Sequence, residues 1–307
     1  MERLPITQLS HVRLAVKDLS SAAHYATHIL GLEKVAEKPA EAAFRADDRY
    51  QTLTLVLAPE SSAVAIEVTN AKTLETLAER LTEHGFAYRK ATVEECMQRS
   101  VREALFTRDA SGNIIELVVR PAHSGKRYFP SRDAGITGLH SLGLRSIDIA
   151  GDLRLWCQVL NASVSDQVGE ISYLRFDQEH HRIALYPSSR PGILYVNFSV
   201  ERYDHIMEAH YFLQEQQVKS LHGPGREAAS GQIFLRFEGP DGHVFSYGHA
   251  MQKPDAHWRA RQFPLEPTSL CHWGSHCNAL PELSGSETEE APSTGAKVMT
   301  FPPTPRR

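Results

Sequence analysis

The sequence contains two copies of one unit, and this duplication constrains the fold more than any other feature. Corresponding residues recur at a nearly constant spacing along the chain. The differences are 129 for His11 and His140, 130 for Gln51 and His181, 132 for Ala63 and Tyr195, and 130 for Glu116 and Ser246. A spacing this steady predicts two tandem domains of one architecture, each of roughly 130 residues.

Each copy is itself built twice from a short strand followed by an amphipathic helix. In the first copy, His11-Val-Arg-Leu-Ala-Val leads to Asp18, a residue suited to cap a helix that starts near Leu19. Further on, Ala65-Ile-Glu-Val leads to a second helix that Gly85 ends. The second copy repeats both steps, from His140 and from Val196. The pattern predicts an α+β protein of two tandem domains, each with two βαβββ modules.

Changes in composition set the expected domain boundaries. Residues 122–138 contain Gly, Ser and Arg with little periodicity, which is typical of a linker. We therefore expect a first domain at 1–121 and a second at 139–252. Residues 253–280 are interpreted as an arm in which Trp258, Phe263 and Trp273 dock on the second domain. Residues 281–307 are rich in Pro, Ser, Thr, Glu and Gly and are expected to be a disordered tail.

Composition and charge exclude several classes of partner. The 307 residues are 41% hydrophobic and 23% charged with a net charge of −4, and the basic residues are scattered singly. A nucleic-acid groove needs clustered basic residues, so we expect no nucleic-acid partner. The start MERLPITQLSHVRLAV lacks the features of a signal peptide, and no apolar run is long enough to cross a membrane. These features predict a cytoplasmic protein without a membrane partner, and its four cysteines are expected to be reduced.

The start and end of the repeat resemble those of a known family. Each copy opens near a His, and the second closes on Gly239-Pro-Asp-Gly242-His-Val-Phe-Ser246-Tyr-Gly. From about residue 8 to 250 the chain resembles the two-domain extradiol catechol dioxygenases of the vicinal oxygen chelate (glyoxalase/bleomycin-resistance/extradiol dioxygenase) superfamily. The resemblance implies that each domain curls a mixed sheet into a cup. It also implies Fe(II) or Mn(II) in the second cup, on two His and one carboxylate, with open positions for a catecholate and O2.

Carrying the family pattern onto this chain identifies a candidate site in the second domain. His140 falls on the first metal-ligand position, and His181 falls on the proton-shuttling His, a catalytic role. Four positions depart from the pattern. Tyr195 stands at the second ligand position, Ser246 replaces the Glu ligand, Glu227 replaces a His of the pocket loop, and Arg236 replaces a pocket Tyr. Tyr195, Arg236, Ser246 and Glu227 are therefore candidate substrate-binding residues.

The departures leave two hypotheses for function. One His with a neutral hydroxyl is a weak site for Fe(II). The first hypothesis is a divergent extradiol-type oxidoreductase for a small aromatic substrate, with His181 as acid and base and His140 as metal ligand or polar anchor. The alternative is a non-catalytic protein that binds an aromatic ligand without turnover and without metal, with Arg236 as a fixed cation. The oligomeric state stays open, and a homo-oligomer is one expectation.

Two further groups of residues have competing interpretations. In the first domain, His11 and Glu116 form either a structural polar pair or, with Gln51, a weak divalent-metal site. Cys271-His-Trp-Gly-Ser-His-Cys277 has the composition of a zinc site, but its spacing lacks the usual paired arms. We expect the structural interpretation in both places.

Overall fold

The computed structural model describes residues 6–59 and 62–286 and contains two mixed sheets. The first sheet has the strand order β2-β3-β4-β1-β5-β8-β7-β6 in the described residues. Its strands are β1 (Ile6–Ala15), β2 (Glu33–Lys38), β3 (Glu41–Arg45), β4 (Leu53–Val56), β5 (Ala63–Val68), β6 (Tyr88–Lys90), β7 (Val101–Arg108) and β8 (Ile114–Pro121). No helix within residues 6–59 and 62–286 is long and apolar enough to cross a bilayer.

The second sheet repeats the order of the first and adds one strand at its edge. Written in the same direction as the first sheet, its order is β17-β10-β11-β12-β9-β13-β16-β15-β14. The strands are β9 (Ile136–Ser146), β10 (Ser163–Val168), β11 (Ile171–Arg175), β12 (Ile183–Pro187), β13 (Gly192–Val200), β14 (Ser220–Arg226), β15 (Ile233–Glu238), β16 (Val244–His249) and β17 (Arg261–Phe263). In each sheet the first strands of the two modules pair antiparallel, β1 with β5 and β9 with β13. The α+β fold of paired modules predicted from the sequence is confirmed.

The helices are α1 (Leu19–His28), α2 (Ala71–Glu83), α3 (Val93–Gln98), α4 (Ile149–Leu153), α5 (Tyr203–Glu215) and α6 (Pro267–Leu270). Helices α1, α2, α4 and α5 pack against the apolar core on one side of the sheets, whereas α3 and α6 contact the apolar clusters of the two cups. Asp18 caps α1 as predicted, accepting hydrogen bonds from the backbone of Ser20 and Ser21. After α4 the chain continues as a π-helical turn, Arg154–Val159, in which Trp156 is fully buried.

One apolar core runs through the helix-facing layers of both domains. It joins alternate residues of the central strands, such as Val12 and Leu14 of β1 and Leu142 and Leu144 of β9, to the buried helix faces. Because residues on a strand alternate between faces, the intervening residues face the cups. The strands thus place the polar residues of interest, among them His11 and Ser141, on the concave sides.

The segments outside the sheets are more ordered than the sequence suggested. Strand β9 begins at Ile136, inside the stretch interpreted as linker. Contrary to the expectation of a tail from residue 281, Pro281–Leu283 forms a 3-10 turn in which Leu283 is buried and Glu282 accepts a hydrogen bond from Arg145 at 2.7 Å. An apolar anchor and a partly buried ion pair offset the local preference for disorder. The rest of the expected tail, 287–307, lies outside the described residues.

Candidate functional site

The second cup is lined by an apolar cluster and closed by the arm that follows the domain. An apolar cluster on its concave side contains Val168, Ile171, Tyr173, Ala184, Tyr186, Leu194, Tyr195, Ala229, Val244, Leu270, Cys277 and Leu283. Leu270 and Cys277 belong to the arm, and Leu283 belongs to the 3-10 turn that continues it. The arm, extended to this turn and thus covering residues 253–286, forms the outer wall of this cup. Trp258 and Phe263 dock as expected, with the Trp258 indole donating to the Ser165 carbonyl at 2.9 Å, whereas Trp273 stays 46% exposed.

Three neutral polar residues lie side by side across the central strands of this cup. Asn197 on β13 pairs with Ser141 on β9 and with Ser246 on β16. The Asn197 side-chain amide donates to the Ser141 hydroxyl at 3.0 Å and to the side-chain oxygen of Gln232 at 3.3 Å. Its own oxygen has no hydrogen-bond partner among the described residues. Side chains at such facing positions are the ones able to share a ligand.

The same row in the first domain shows which positions correspond. There Ala65 on β5 pairs with His11 on β1 and with Glu116 on β8. Adding 130 to 11 and to 116 gives Ser141 and Ser246. The row in the second domain is therefore Ser141, Asn197 and Ser246, and it contains neither His140 nor Tyr195.

His140 and Tyr195 are each displaced from the row on which the family pattern placed them. His140 is the extra residue of a β-bulge in β9, opposite the step between Asn197 and Phe198. Its Nε2 lies 3.6 Å from a carboxylate oxygen of Glu179. Tyr195 lies two residues before Asn197 and packs its ring on Gly143, where a Cβ atom would collide with it. Matching of single residues could not detect the bulge, which shifts the register by one.

His181 lies at the inner end of a buried polar chain. Its Nδ1 is 3.1 Å from Nδ1 of His180, whose Nε2 is 2.8 Å from the Asp166 carboxylate. Arg261 of the arm donates to Asp166 at 2.5 Å. Burial holds the pKa of His181 well below its usual value, so the ring is neutral at pH 7. Its Nε2 has no partner in the described part of the chain.

Three buried tyrosines form the floor of the second cup beside His181. The hydroxyls of Tyr186 and Tyr195 lie 3.4 Å apart, and the Tyr173 ring centroid lies 4.8 Å from that of His181. Burial raises the pKa of all three phenols well above the usual value. They are therefore protonated at neutral pH and act as hydroxyl donors.

Arg236 is buried, and its charge is already balanced. The guanidinium donates to Glu227 at 2.5 Å, and Ser230 donates to the other oxygen of the same carboxylate at 2.6 Å. The guanidinium carbon also lies 4.6 Å from the centroid of the Tyr195 ring. The interpretation of Arg236 as a cation free to take an anionic ligand is therefore wrong, because Glu227 neutralises it. Only its Nε has no partner among the residues described.

In the first cup, the Glu116 carboxylate beside His11 is bound by an arginine that the sequence did not single out. Arg99 donates to both Glu116 oxygens, at 2.8 and 2.7 Å, and His11 Nε2 is 3.4 Å from the same carboxylate. Although burial alone raises it, the contacts with His11 and Arg99 lower the pKa of Glu116 to about 2. Gln51 donates to the Gln98 carbonyl instead of joining them. A bidentate Arg99 occupies the carboxylate that a metal would need.

Comparison with known proteins supports the architecture and places the chain in a family. The family model for the Glyoxalase/Bleomycin resistance protein/Dioxygenase superfamily matches residues 8–117 and 138–247. The chain belongs to this superfamily. It is 24% identical over 295 residues to an iron-dependent extradiol dioxygenase of Rhodococcus jostii, covering 88% of this chain and 97% of that one. It is 28% identical over 199 residues to a biphenyl-2,3-diol 1,2-dioxygenase of a Pseudomonas species, covering 59% and 68%.

Solved structures of the superfamily share the fold over most of both chains. A halotolerant catechol dioxygenase superposes with a TM-score of 0.82 at 18% identity, covering 92% of this chain and 98% of that one. A Mn(II)-bound glyoxalase from Novosphingobium aromaticivorans gives a TM-score of 0.81 at 22% identity, covering 90% and 93%. At these identities the likeness establishes the two-cup architecture, and the chemistry depends on this chain's own residues.

The residues present in the second cup do not fit the iron or manganese of these relatives. The row Ser141, Asn197 and Ser246 offers two hydroxyls and an amide, whereas Fe(II) sites of this type use imidazoles and a carboxylate. His140 is turned to Glu179 at the bulge. Across residues 6–59 and 62–286, no group of three or more His, Cys, Asp or Glu side chains is arranged to hold a metal ion.

Several residues of the site were not identified from the sequence. Asn197, Asp166 and Arg261 act through contacts between distant segments, and Tyr173 and Tyr186 are ordinary strand residues in the pattern. The sequence does contain one indication of the row Ser141, Asn197 and Ser246. An offset of 130 from His11 falls on Ser141, the residue directly after His140.

Proposed function

We propose that this protein binds a small phenolic or catechol-type aromatic compound in its second cup, as a divergent relative of the extradiol dioxygenases. The observation that carries the proposal is a set of buried polar atoms without partners in the described residues. They are His140 Nδ1, His181 Nε2, Asn197 Oδ1 and Arg236 Nε. Each such atom costs about 1–3 kcal/mol when unpaired. A hydroxylated ring both donates and accepts, and so offers partners to atoms of both kinds.

The order of hydrogen bonds around His181 gives it a defined role. If His180 donates from Nε2 to Asp166, its Nδ1 accepts from Nδ1 of His181, and Nε2 of His181 is left as an acceptor. Although burial alone raises it, hydrogen bonds from His180 and Arg261 keep the pKa of Asp166 low, which holds this order in place. We assign His181 as the acceptor of a ligand hydroxyl and as the catalytic acid and base of any reaction.

The remaining polar groups would orient the ring. The Tyr195 hydroxyl, Ser246 hydroxyl and Arg236 Nε are buried beside an apolar floor, which suits a neutral ligand with one or two hydroxyls. The ion pair with Glu227 fixes the guanidinium of Arg236 and balances its charge. Arg236 would therefore orient the ligand through the direction of its Nε–H group and would add little net charge to the cup. A neutral catechol or phenol therefore fits this cup better than a carboxylate does.

Binding in the second cup without turnover is the second candidate. It is favoured by the neutral row Ser141, Asn197 and Ser246, which provides no electron-rich metal centre for O2. The two candidates share the ligand and differ only in whether the bound ligand reacts. Relatives named for ring-cleaving activity support the first.

The test combines binding with oxygen consumption. Wild-type protein and the His181→Ala variant are titrated calorimetrically with catechol, phenol and 2,3-dihydroxybiphenyl, and O2 uptake is then followed with added Fe(II). We expect saturable binding that His181→Ala weakens by about tenfold, because a hydrogen bond between neutral groups contributes about that much to affinity. The exposed His28→Ala serves as the matched control. Binding without O2 uptake selects the second candidate, and absence of saturable binding for all three compounds refutes both.

A further inference from the structure

The first cup contains a cavity open to solvent. Its volume is about 760 Å³, within the range of small-molecule sites. The apolar cluster on this concave side is small, comprising Ala65, Ala104, Phe106 and Val118. Ala63, which lines the cavity, leaves space where the second domain has Tyr195.

Most of the charged side chains that line the cavity are cationic. Its charged lining residues are Arg13, Arg89, Arg99, Arg108, Arg154, Asp109 and Glu116. Glu116 is already held by Arg99 at both oxygens. Burial, together with the nearby Asp152, raises the pKa of Asp109 to about 7, so this carboxyl carries only part of a charge at neutral pH. Arg89 is paired with Glu95 outside the cavity. The balance of charge inside the cavity is positive.

Arg13 is a buried cation that lines this cavity and has one unused donor, Nη1. Its side chain is 9% exposed, and its Nη1 has no hydrogen-bond partner among the described residues. The nearest carboxylate, Glu41, is 3.6 Å from Nη2 and also accepts from Lys38 at 2.7 Å. A buried guanidinium with a free donor is costly unless a ligand or water supplies an acceptor.

Apolar surfaces line the walls around the arginines. Phe106 has the guanidinium carbons of Arg89 and Arg99 at 4.6 and 4.5 Å from its ring centroid, and Arg154 lies 5.4 Å from the Phe86 ring. With Ile114, these rings give the cavity an apolar body and a cationic base. This combination matches a planar apolar molecule that carries one anionic group.

We infer that the first cup is a separate binding site for a small aromatic carboxylate, whose anionic group accepts from the free Nη1 of Arg13. The ring of the ligand lies against Phe86, Phe106 and Ile114. The inference does not depend on the second cup, because the lining residues of the cavity and the polar cluster around His181 have no member in common. The two cups thus differ in the charge of the ligand they accept.

Calorimetric titration with benzoate, and with neutral benzamide as the isosteric probe, tests this assignment. We expect saturable benzoate binding that Arg13→Gln weakens by at least about tenfold and Arg13→Lys by less, because lysine keeps the charge but loses the fork of donors. The exposed Arg102→Gln on the same sheet is the matched control and should bind benzoate as the wild type does. Benzamide should bind the wild type at least about tenfold more weakly than benzoate.

Crystals of the wild-type protein soaked with 4-bromobenzoate provide a readout that needs no variant. We expect the anomalous signal of bromine in the first cup, with the carboxylate at Arg13. A signal in the second cup or no signal overturns the inference, as does equal benzoate affinity of wild type and a folded Arg13→Gln. The His181→Ala variant should bind benzoate normally, so that failure at one cup is distinguishable from failure at the other.

Discussion

Asn197 donates a hydrogen bond from its side-chain amide to the hydroxyl of Ser141 at 3.0 Å, joining the two central strands of the second cup. In the first domain the same two positions hold Ala65 and His11. The second cup therefore has a neutral hydrogen-bonded row where the first cup has an imidazole and a carboxylate at its two outer positions.

Restoring the expected ligand types at these positions should create a metal site. The combined variant Ser141→His, Asn197→His and Ser246→Glu places two imidazoles and a carboxylate on adjacent strands, the set that Fe(II) prefers. We expect it to bind about one Fe(II) per chain, as imidazole and carboxylate ligands allow. Metal analysis after anaerobic reconstitution measures this, with alanine at all three positions as the control. A folded variant that gains no iron would show that this row is not the ligand row.

Removing the charge of Glu116 should destabilise the first domain in a pH-dependent way. Its folded pKa of about 2 lies below the unfolded value, so its contribution is present above about pH 4.5 and is lost as pH falls toward 2. We expect Glu116→Gln to lower the free energy of unfolding by on the order of 3 kcal/mol at pH 7, and by less at pH 3. Urea unfolding at both pH values is the measurement. Equal losses at the two pH values would contradict the ion pair with Arg99.

The chain from Arg261 through Asp166 to the two histidines should set the proton position on His181. In Asp166→Asn the amide group is able to donate to His180, which removes the preference for Nε2 of His181 as the acceptor. We expect phenol affinity to fall by about tenfold, as for loss of one buried hydrogen bond. Calorimetry with phenol measures the change. If the affinity stays unchanged while His181→Ala loses it, the tautomer order is wrong.

The arm that closes the second cup should loosen when its buried anchor is shortened. Leu283 is 2% exposed against the cup, and truncation of a buried leucine costs about 2–5 kcal/mol. In Leu283→Ala we expect this loss to weaken docking of the arm on the second cup. The consequences should be faster proteolysis within residues 264–286 and faster association of catechol. Limited proteolysis and stopped-flow binding measure the two effects. Leu57→Ala, at a side chain 40% exposed, is the control and should change neither rate.

The fold was predictable because its signals are periodic and repeated. The spacing between Glu116 and Ser246, the Asp18 cap and the alternating strands each act locally, so the sequence alone indicated tandem α+β modules. The site was predictable only in part. His181 and Tyr195 do lie in the second cup, but the bulge at His140 depends on pairing with a strand more than fifty residues away.

Charge compensation also escaped prediction. The neutralisation of Arg236 by Glu227 and the capture of Glu116 by Arg99 both arise from tertiary packing, which no spacing in the sequence reveals. Both residues of the first pair were noted as unusual, yet their mutual contact was not anticipated. The open first cup was missed for a related reason, since its cavity depends on the small side chain of Ala63, where the second domain has Tyr195, and not on a motif.

The most direct test of the central claim compares catechol affinity with and without divalent metal. Protein stripped with a chelator, and protein reconstituted with Fe(II), are titrated with catechol under anaerobic conditions while bound iron is measured per chain. We predict iron well below one per chain in both samples and the same dissociation constant, because the cup binds the ring through His181, Tyr195 and Arg236. Stoichiometric iron together with catechol binding that disappears on chelation would contradict the claim.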